Sequence, residues 1–121
     1  MTTLEKAKTV HDAAMLLSQE ADMARLSGDE KKAQQLYKQS FDLECEAATA
    51  YINRFDKEPV RSILYRSAAS LAIECHLFQE AEQLIHQGLT THTPPDIADE
   101  LQDLYKQLLE KQTEQGNDFL D

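Results

Sequence analysis

Cys75 and His76 stand side by side in YRSAASLAIECHLFQEAEQLI, residues 65–85, and a thiol beside an imidazole is the raw material of metal sites and cysteine nucleophiles. Cys45, His86 and His92 are further ligand types, but no CxxC, HxxxH or HExxH spacing occurs. Neighbouring side chains on a helix point about 100° apart, so Cys75 and His76 do not converge on one ion. A nucleophilic cysteine also needs a nearby cation or a helix N-terminus to lower its pKa. Cys75 instead closes a helical pattern, where the helix dipole disfavours a thiolate. The sequence therefore predicts that Cys75 extends a buried stripe and that His76-Leu77 turns a helical hairpin. It assigns no catalytic residue, no metal ligand and no cofactor.

Two other constellations could carry chemistry. Arg61 and Arg66 with His76 suggest a helical ribonucleolytic or metal-dependent enzyme centred on His76, an alternative that stays open at this stage. Their spacing is longer than the short Arg-polar-His motif of helical ribonucleases, and no glycine-rich phosphate loop accompanies them. Asp96, Asp99 and Asp103 can share a helical face with Glu100 nearby, but no other segment supplies them with partners, and the pattern reads as a solvated face.

The elements that must position these residues are helices. Apolar residues recur at three and four, and neither strict alternation nor a β-branched run is present. A first helix, about Thr3 to Leu26, carries Leu4, Ala7, Val10, Ala14, Leu17, Ala21 and Ala24, and ends at Ser27-Gly28. A long second helix is expected from about Asp29 to Arg54, with room for a kink near Glu44–Ala47. Pro59 opens a third, about Pro59 to Cys75, and a fourth spans about Phe78 to Leu89. In THTPPD, Thr93 is placed to cap a fifth helix striped by Ile97, Leu101, Leu104, Tyr105 and Leu108. Residues 1–115 form one domain, and 116–121 are expected to be a flexible tail.

The 121 residues carry a net charge of −10, unevenly spread. Residues 1–66 hold 10 Lys/Arg against 11 Asp/Glu, whereas residues 67–121 hold only Lys106 and Lys111 against 11 Asp/Glu. Such a chain repels phosphate backbones at long range, which argues against nucleic-acid partners. No apolar run approaches the ~20 residues that span a bilayer, and the N-terminus lacks the apolar core of a secretory signal. With two cysteines and no disulfide framework, the expected location is the cytoplasm, away from membranes.

Residues 17–44 and 65–92 align without gaps at an offset of 48. They share Ala21/Ala69, Ala24/Ala72, Ala33/Ala81, Gln35/Gln83, Leu36/Leu84 and Gln39/Gln87. Small residues at these places let two antiparallel helices approach closely, while Tyr37 and Ile85, four residues after their alanines, fill the space between hairpins. The arrangement resembles the tetratricopeptide repeat, a 34-residue helix–turn–helix unit. Leu17, Ala21, Ala24, Ala33, Tyr37 and Ser40 match its spacing in the first segment; Tyr65, Ala68, Ala69, Ala72, Ala81, Ile85 and Gly88 match it in the second. The resemblance covers about half of the chain. The offset exceeds 34, Trp is absent, and the closing proline occurs only as Pro94 and Pro95.

The resemblance implies an all-α array of about five helices in antiparallel hairpins, two short units with a C-terminal capping helix. It also implies an adaptor or assembly factor, without catalysis, that binds another protein or peptide in a groove lined by the first helix of each hairpin. Asp22 and Arg25, with Met15, Ser18 and Gln19, would face that groove from one hairpin. Ile63, Arg66, Ser70 and Ile73, with Ser67, would face it from the next, and Arg66 is placed to meet an acidic side chain. The asparagine and lysine pattern that clamps a C-terminal carboxylate is missing. A two-unit array also leaves uncapped apolar edges, from which self-association, as a homo-oligomer or an obligate homodimeric bundle, is expected.

Overall fold

The computed structural model describes the backbone of residues 1–120 and the side chains of residues 1–115. Five helices follow one another: α1 (Thr3–Leu26), α2 (Glu30–Thr49), α3 (Val60–Glu74), α4 (Phe78–Gly88) and α5 (Pro95–Leu120). A 3-10 turn at Phe55–Lys57 lies between α2 and α3, and no strand occurs among the described residues. The fold is all-α. No helix is long and apolar enough to cross a membrane among those residues.

Helix ends follow local chemistry. Thr2 Oγ1 accepts a hydrogen bond from the Glu5 amide at the start of α1, and the Asp29 carboxylate accepts one from the Lys32 amide at the start of α2. These contacts satisfy amides that have no partner inside the helix. After α1 the chain reverses through Gly28 at φ 87°, where a side chain would be strained. The Gly28 amide donates to the Arg25 carbonyl and the Asp29 amide to the Ala24 carbonyl, the paired bonds of a Schellman closure. After α3 the same closure recurs: His76 N–H donates to the Ile73 carbonyl, and Leu77 N–H to the Ala72 carbonyl. His76 sits at φ 58° in the glycine's place. Every one of these positions is displaced by 48 residues from its counterpart.

The hairpins pack by small residues. Ala21, Ala24, Ala33, Ala69, Ala72 and Ala81 are buried, as are Tyr37 and Ile85. Consecutive helices contact one another, and α5 leans on both α3 and α4. Gly88 marks a close approach, since a Cβ there would lie 2.9 Å from Tyr65 Cβ and 3.2 Å from Leu101 Cδ1. Its counterpart Ser40 is buried and donates its hydroxyl to the Ala14 carbonyl at 2.7 Å.

Three boundaries differ from the sequence reading. The second helix ends at Thr49 and does not continue to Arg54. The Thr49 hydroxyl donates to the Cys45 carbonyl, and Tyr51 and Ile52 amides reach back only three residues, to Ala48 and Thr49, tightening the chain into turns. Thr93 does not cap α5. Its hydroxyl donates to the Gly88 carbonyl at 2.7 Å and accepts from the Thr90 amide, so it closes the end of α4 instead. The fifth helix runs on to Leu120, past Glu114, where the apolar pattern stops. The tail expected at 116–121 lies outside the residues whose side chains are described.

Candidate protein-interaction clefts

The first helices of the two hairpins run side by side in the same direction. Arg25 near the end of α1 pairs with Glu74 at the end of α3 at 3.0 Å, while residues early in α1 and early in α3 line a common cleft. Their backbones do not pack closely along this length. The space between them opens as two clefts of contrasting chemistry.

The central cleft, about 410 Å³, is shared by three helices. Met15 and Ser18 come from α1; Arg66, Ser67, Ser70 and Leu71 from α3; Glu100, Asp103 and Leu104 from α5. Met15, Leu71 and Leu104 give it an apolar floor. Arg66 forms an ion pair with Glu100 across it, which leaves the Asp103 carboxylate as the excess charge of its wall.

The N-terminal cleft, about 520 Å³, is lined by Leu4, Ala7, Tyr51, Val60, Ile63 and Leu64, with Glu5, Lys8, His11 and Lys57 as its polar members. His11 is held from behind. Glu44 is fully buried, and His11 Nδ1 lies 2.9 Å from both of its carboxylate oxygens. Glu44 thus occupies Nδ1, and Nε2 is the free nitrogen of the ring.

The residues expected to face one groove divide among different surroundings. Arg66 and Ser70 line the central cleft, with Met15, Ser18 and Ser67. Ile63 lines the N-terminal cleft instead. Ile73 is not presented by a groove at all: it is 5% exposed within the core. The reason is that α3 is central, covered by α2, α4 and α5, so its buried arc is wider than one stripe. Asp22 is exposed, and its carboxylate accepts a hydrogen bond from the Tyr37 hydroxyl. Arg25 bridges Glu74 and Glu30 and stacks on the Tyr37 ring at 4.8 Å. Asp22 and Arg25 thus tie α1 to its neighbours. Burial disfavours the charged Arg25 guanidinium, but the hydrogen bonds to Glu74 and Glu30 outweigh it and hold the pKa above its ordinary value. Burial, reinforced by the hydrogen bond to Asp22, pushes the Tyr37 hydroxyl up to about 12.

The Arg61, Arg66 and His76 constellation is not gathered. Arg61 begins α3 and His76 follows its end, about 22 Å away along the helix axis. Arg61 is 2% exposed and donates to the Ile52 carbonyl at 3.0 Å and the Gln87 carbonyl at 2.7 Å, stitching the α2–α3 connection to the end of α4. Cys45 and Cys75 are free thiols, half-buried, and burial pushes both up to about 11. Among the described residues no group of three or more His, Cys, Asp or Glu is placed to hold a metal ion.

Sequence reasoning missed the His11–Glu44 pair, the Arg61 stitch and the contribution of α5 to the central cleft. A signal for the first was present. Glu44 falls four residues after Ser40 and three before Ala47 on the buried face of α2, and a carboxylate inside an apolar stripe requires a partner. Comparison with protein-family models, with curated proteins and with solved structures finds no match for this chain.

Proposed function

We propose that this chain is a non-catalytic protein–protein interaction module, an adaptor or assembly factor of the cytoplasm, built as a short tetratricopeptide-like pair of hairpins with α5 as the cap. The recurrence of one turn geometry and one set of buried small residues at an interval of 48 supports the repeat reading. The observation that carries the functional reading is the central cleft, lined jointly by α1, α3 and α5, with an apolar floor and a polar rim. Grooves of this kind suit a helix or extended peptide laid across several helices.

The charge of the cleft refines the partner. Arg66 is engaged by Glu100, and Asp103 adds a further carboxylate, so the bound segment carries an apolar anchor with a lysine or arginine beside it. Affinity capture from native cytosol with mass identification, compared across variants, tests this. Asp103→Lys is expected to lower capture about tenfold or more, with helicity by circular dichroism unchanged. Arg66→Glu is expected to retain capture. Loss of capture with Arg66→Glu alone would mean an acidic segment, and no change with either variant would remove this cleft from the site. The enzyme alternative centred on His76 is tested by elemental analysis and an RNA-cleavage assay on wild type and His76→Ala, where stoichiometric metal or His76-dependent cleavage would overturn the proposal.

A further inference from the structure

The N-terminal cleft has the opposite character from the central one. Its walls are apolar, and Val60 among them is 46% exposed, a large share for a β-branched side chain on a helix. Its rim carries Lys8 and Lys57, and among the described residues neither lysine pairs with a carboxylate, whereas Arg25, Lys38, Arg54 and Arg66 all do. His11, fixed through Nδ1 by the buried Glu44, adds an oriented ring nitrogen, and Glu5 is the single carboxylate of the lining. On a chain of net charge −10 this is a local basic, apolar site. It suits a short segment that places bulky apolar side chains between carboxylates.

The chain contains such a segment. Residues 118–121 read Asp-Phe-Leu-Asp, the only stretch of the sequence in which two large apolar residues lie directly between two carboxylates. The same molecule does not deliver it. Arg66 of α3 pairs with Glu100 of α5, Tyr65 and Leu101 approach each other at Gly88, and α4 meets α5 in the reverse sense, His86 against Tyr105. The fifth helix therefore runs parallel to α3 and away from the cleft. The level of Leu64, which lines the cleft, corresponds to about residue 98, so residue 115 lies some 17 residues further along α5, roughly 25 Å from the cleft, and the six residues that follow span at most about 21 Å.

We propose that the N-terminal cleft binds residues 118–121 of a second copy of this chain, with Phe119 and Leu120 against the apolar wall and Asp118 and Asp121 at Lys8 and Lys57. The cleft lies at one end of the molecule and the described part of α5 leads away from it, so the contact joins two different surfaces, head-to-tail. A head-to-tail contact leaves one cleft and one segment free in every dimer and generates chains, or a ring if the rotation closes. The interface is small, and self-association on the order of tens of micromolar is expected. The inference goes beyond the central-cleft reading and uses a different surface.

Light scattering over a roughly hundredfold dilution series tests it, because mass action makes the assembly concentration-dependent. The wild-type average mass is expected to rise with concentration. Phe119→Ser, or Lys8→Glu with Lys57→Glu, is expected to hold it at the monomer, and both lysines are exposed, so the helical spectrum should not change. Adding Asp118→Lys and Asp121→Lys to the double-glutamate variant should restore association. A labelled peptide of residues 114–121 should bind the wild type and lose at least about tenfold on the double-glutamate variant. Association untouched by these substitutions, or a monomer at every concentration that ignores the peptide, would overturn the proposal. A monomer that binds the peptide would overturn the second copy as occupant and assign the cleft to another protein carrying the same chemistry. The double-glutamate variant should still capture the central-cleft partner, so failure of one reading is separable from failure of the other.

Discussion

The hairpins α1–α2 and α3–α4 share a backbone plan and differ in what fills it. Both turn through the same pair of hydrogen bonds, one residue of positive φ, and buried alanines at matching places. The first hairpin uses Gly28 at the turn, Ser40 tied to α1 by a hydrogen bond, and Glu44 tied to α1 by His11. The second uses His76 at the turn and Gly88 at the close approach, while His92, the counterpart of Glu44, lies beyond α4 and stacks on Phe55 at 4.6 Å. The lesson is that one geometry can be held by polar ties or by shape alone. The two solutions fail in different ways.

The largest expected effect is in the polar hairpin. His11→Ala strands the fully buried Glu44 carboxylate without its ring partner, and breaking a buried pair by removing one member costs about 3 kcal/mol. Urea unfolding should report it, and His11→Leu combined with Glu44→Leu should recover most of the loss. If the double variant is no better than the single one, the penalty is lost packing and the polar tie is unimportant.

The counterpart in the shape-held hairpin is Gly88→Ala. Its Cβ would meet Tyr65 Cβ at 2.9 Å, backbone-linked on both sides, so the helices must separate. Overpacking of this kind costs about 2 kcal/mol. At the matched position Ser40→Ala introduces no clash and loses only one buried hydrogen bond, about 1 kcal/mol. Equal losses at the two positions would erase the distinction between the hairpins.

The turns give a smaller effect of opposite sign. Gly28 and His76 occupy the same left-handed conformation, in which a side chain costs roughly 1 kcal/mol. His76→Gly should therefore stabilise the chain by up to about 1 kcal/mol, and Gly28→Ala should destabilise it by about the same amount. Loss of stability with His76→Gly would show that the ring's edge contact with Phe78, at 5.8 Å between centroids, outweighs the strain.

Much of this comparison was legible in the sequence, and the limits are physical. Alanines at three- and four-residue spacing announce close helix packing, and Gly28 announces a turn, because size and backbone freedom belong to single residues. The equivalence of His76 to Gly28 was readable only through the 48-residue register, since histidine carries no turn signal of its own. The clefts were harder. Arg66 and Ser70 line the central cleft, whereas Ile73, three residues on, is buried because three neighbouring helices widen the buried arc of α3. Arg66's partner Glu100 lies 34 residues away, and periodicity does not report on pairing between helices.

The narrowest effect, confined to alkaline pH, concerns the two thiols, one from each hairpin. Burial raises Cys45 and Cys75 from an ordinary 9 to about 11, so the folded chain keeps these protons where the unfolded chain releases them. Their contribution to stability is therefore full below about pH 9 and is lost as pH rises through about 11. Tyr37, raised from 10 to about 12, extends the same loss upward. The melting temperature should fall across this alkaline window by several degrees, and Cys45→Ala with Cys75→Ala should flatten its lower part and leave the Tyr37 portion in place. Iodoacetamide should also modify both thiols more slowly in the folded chain than in urea at pH 8, because the thiolate is the reactive form. A faster reaction at Cys75 alone would mean that the histidine-bearing turn exposes its thiol in a way the glycine-bearing one does not, and the two closures would then differ in dynamics as well as in strain.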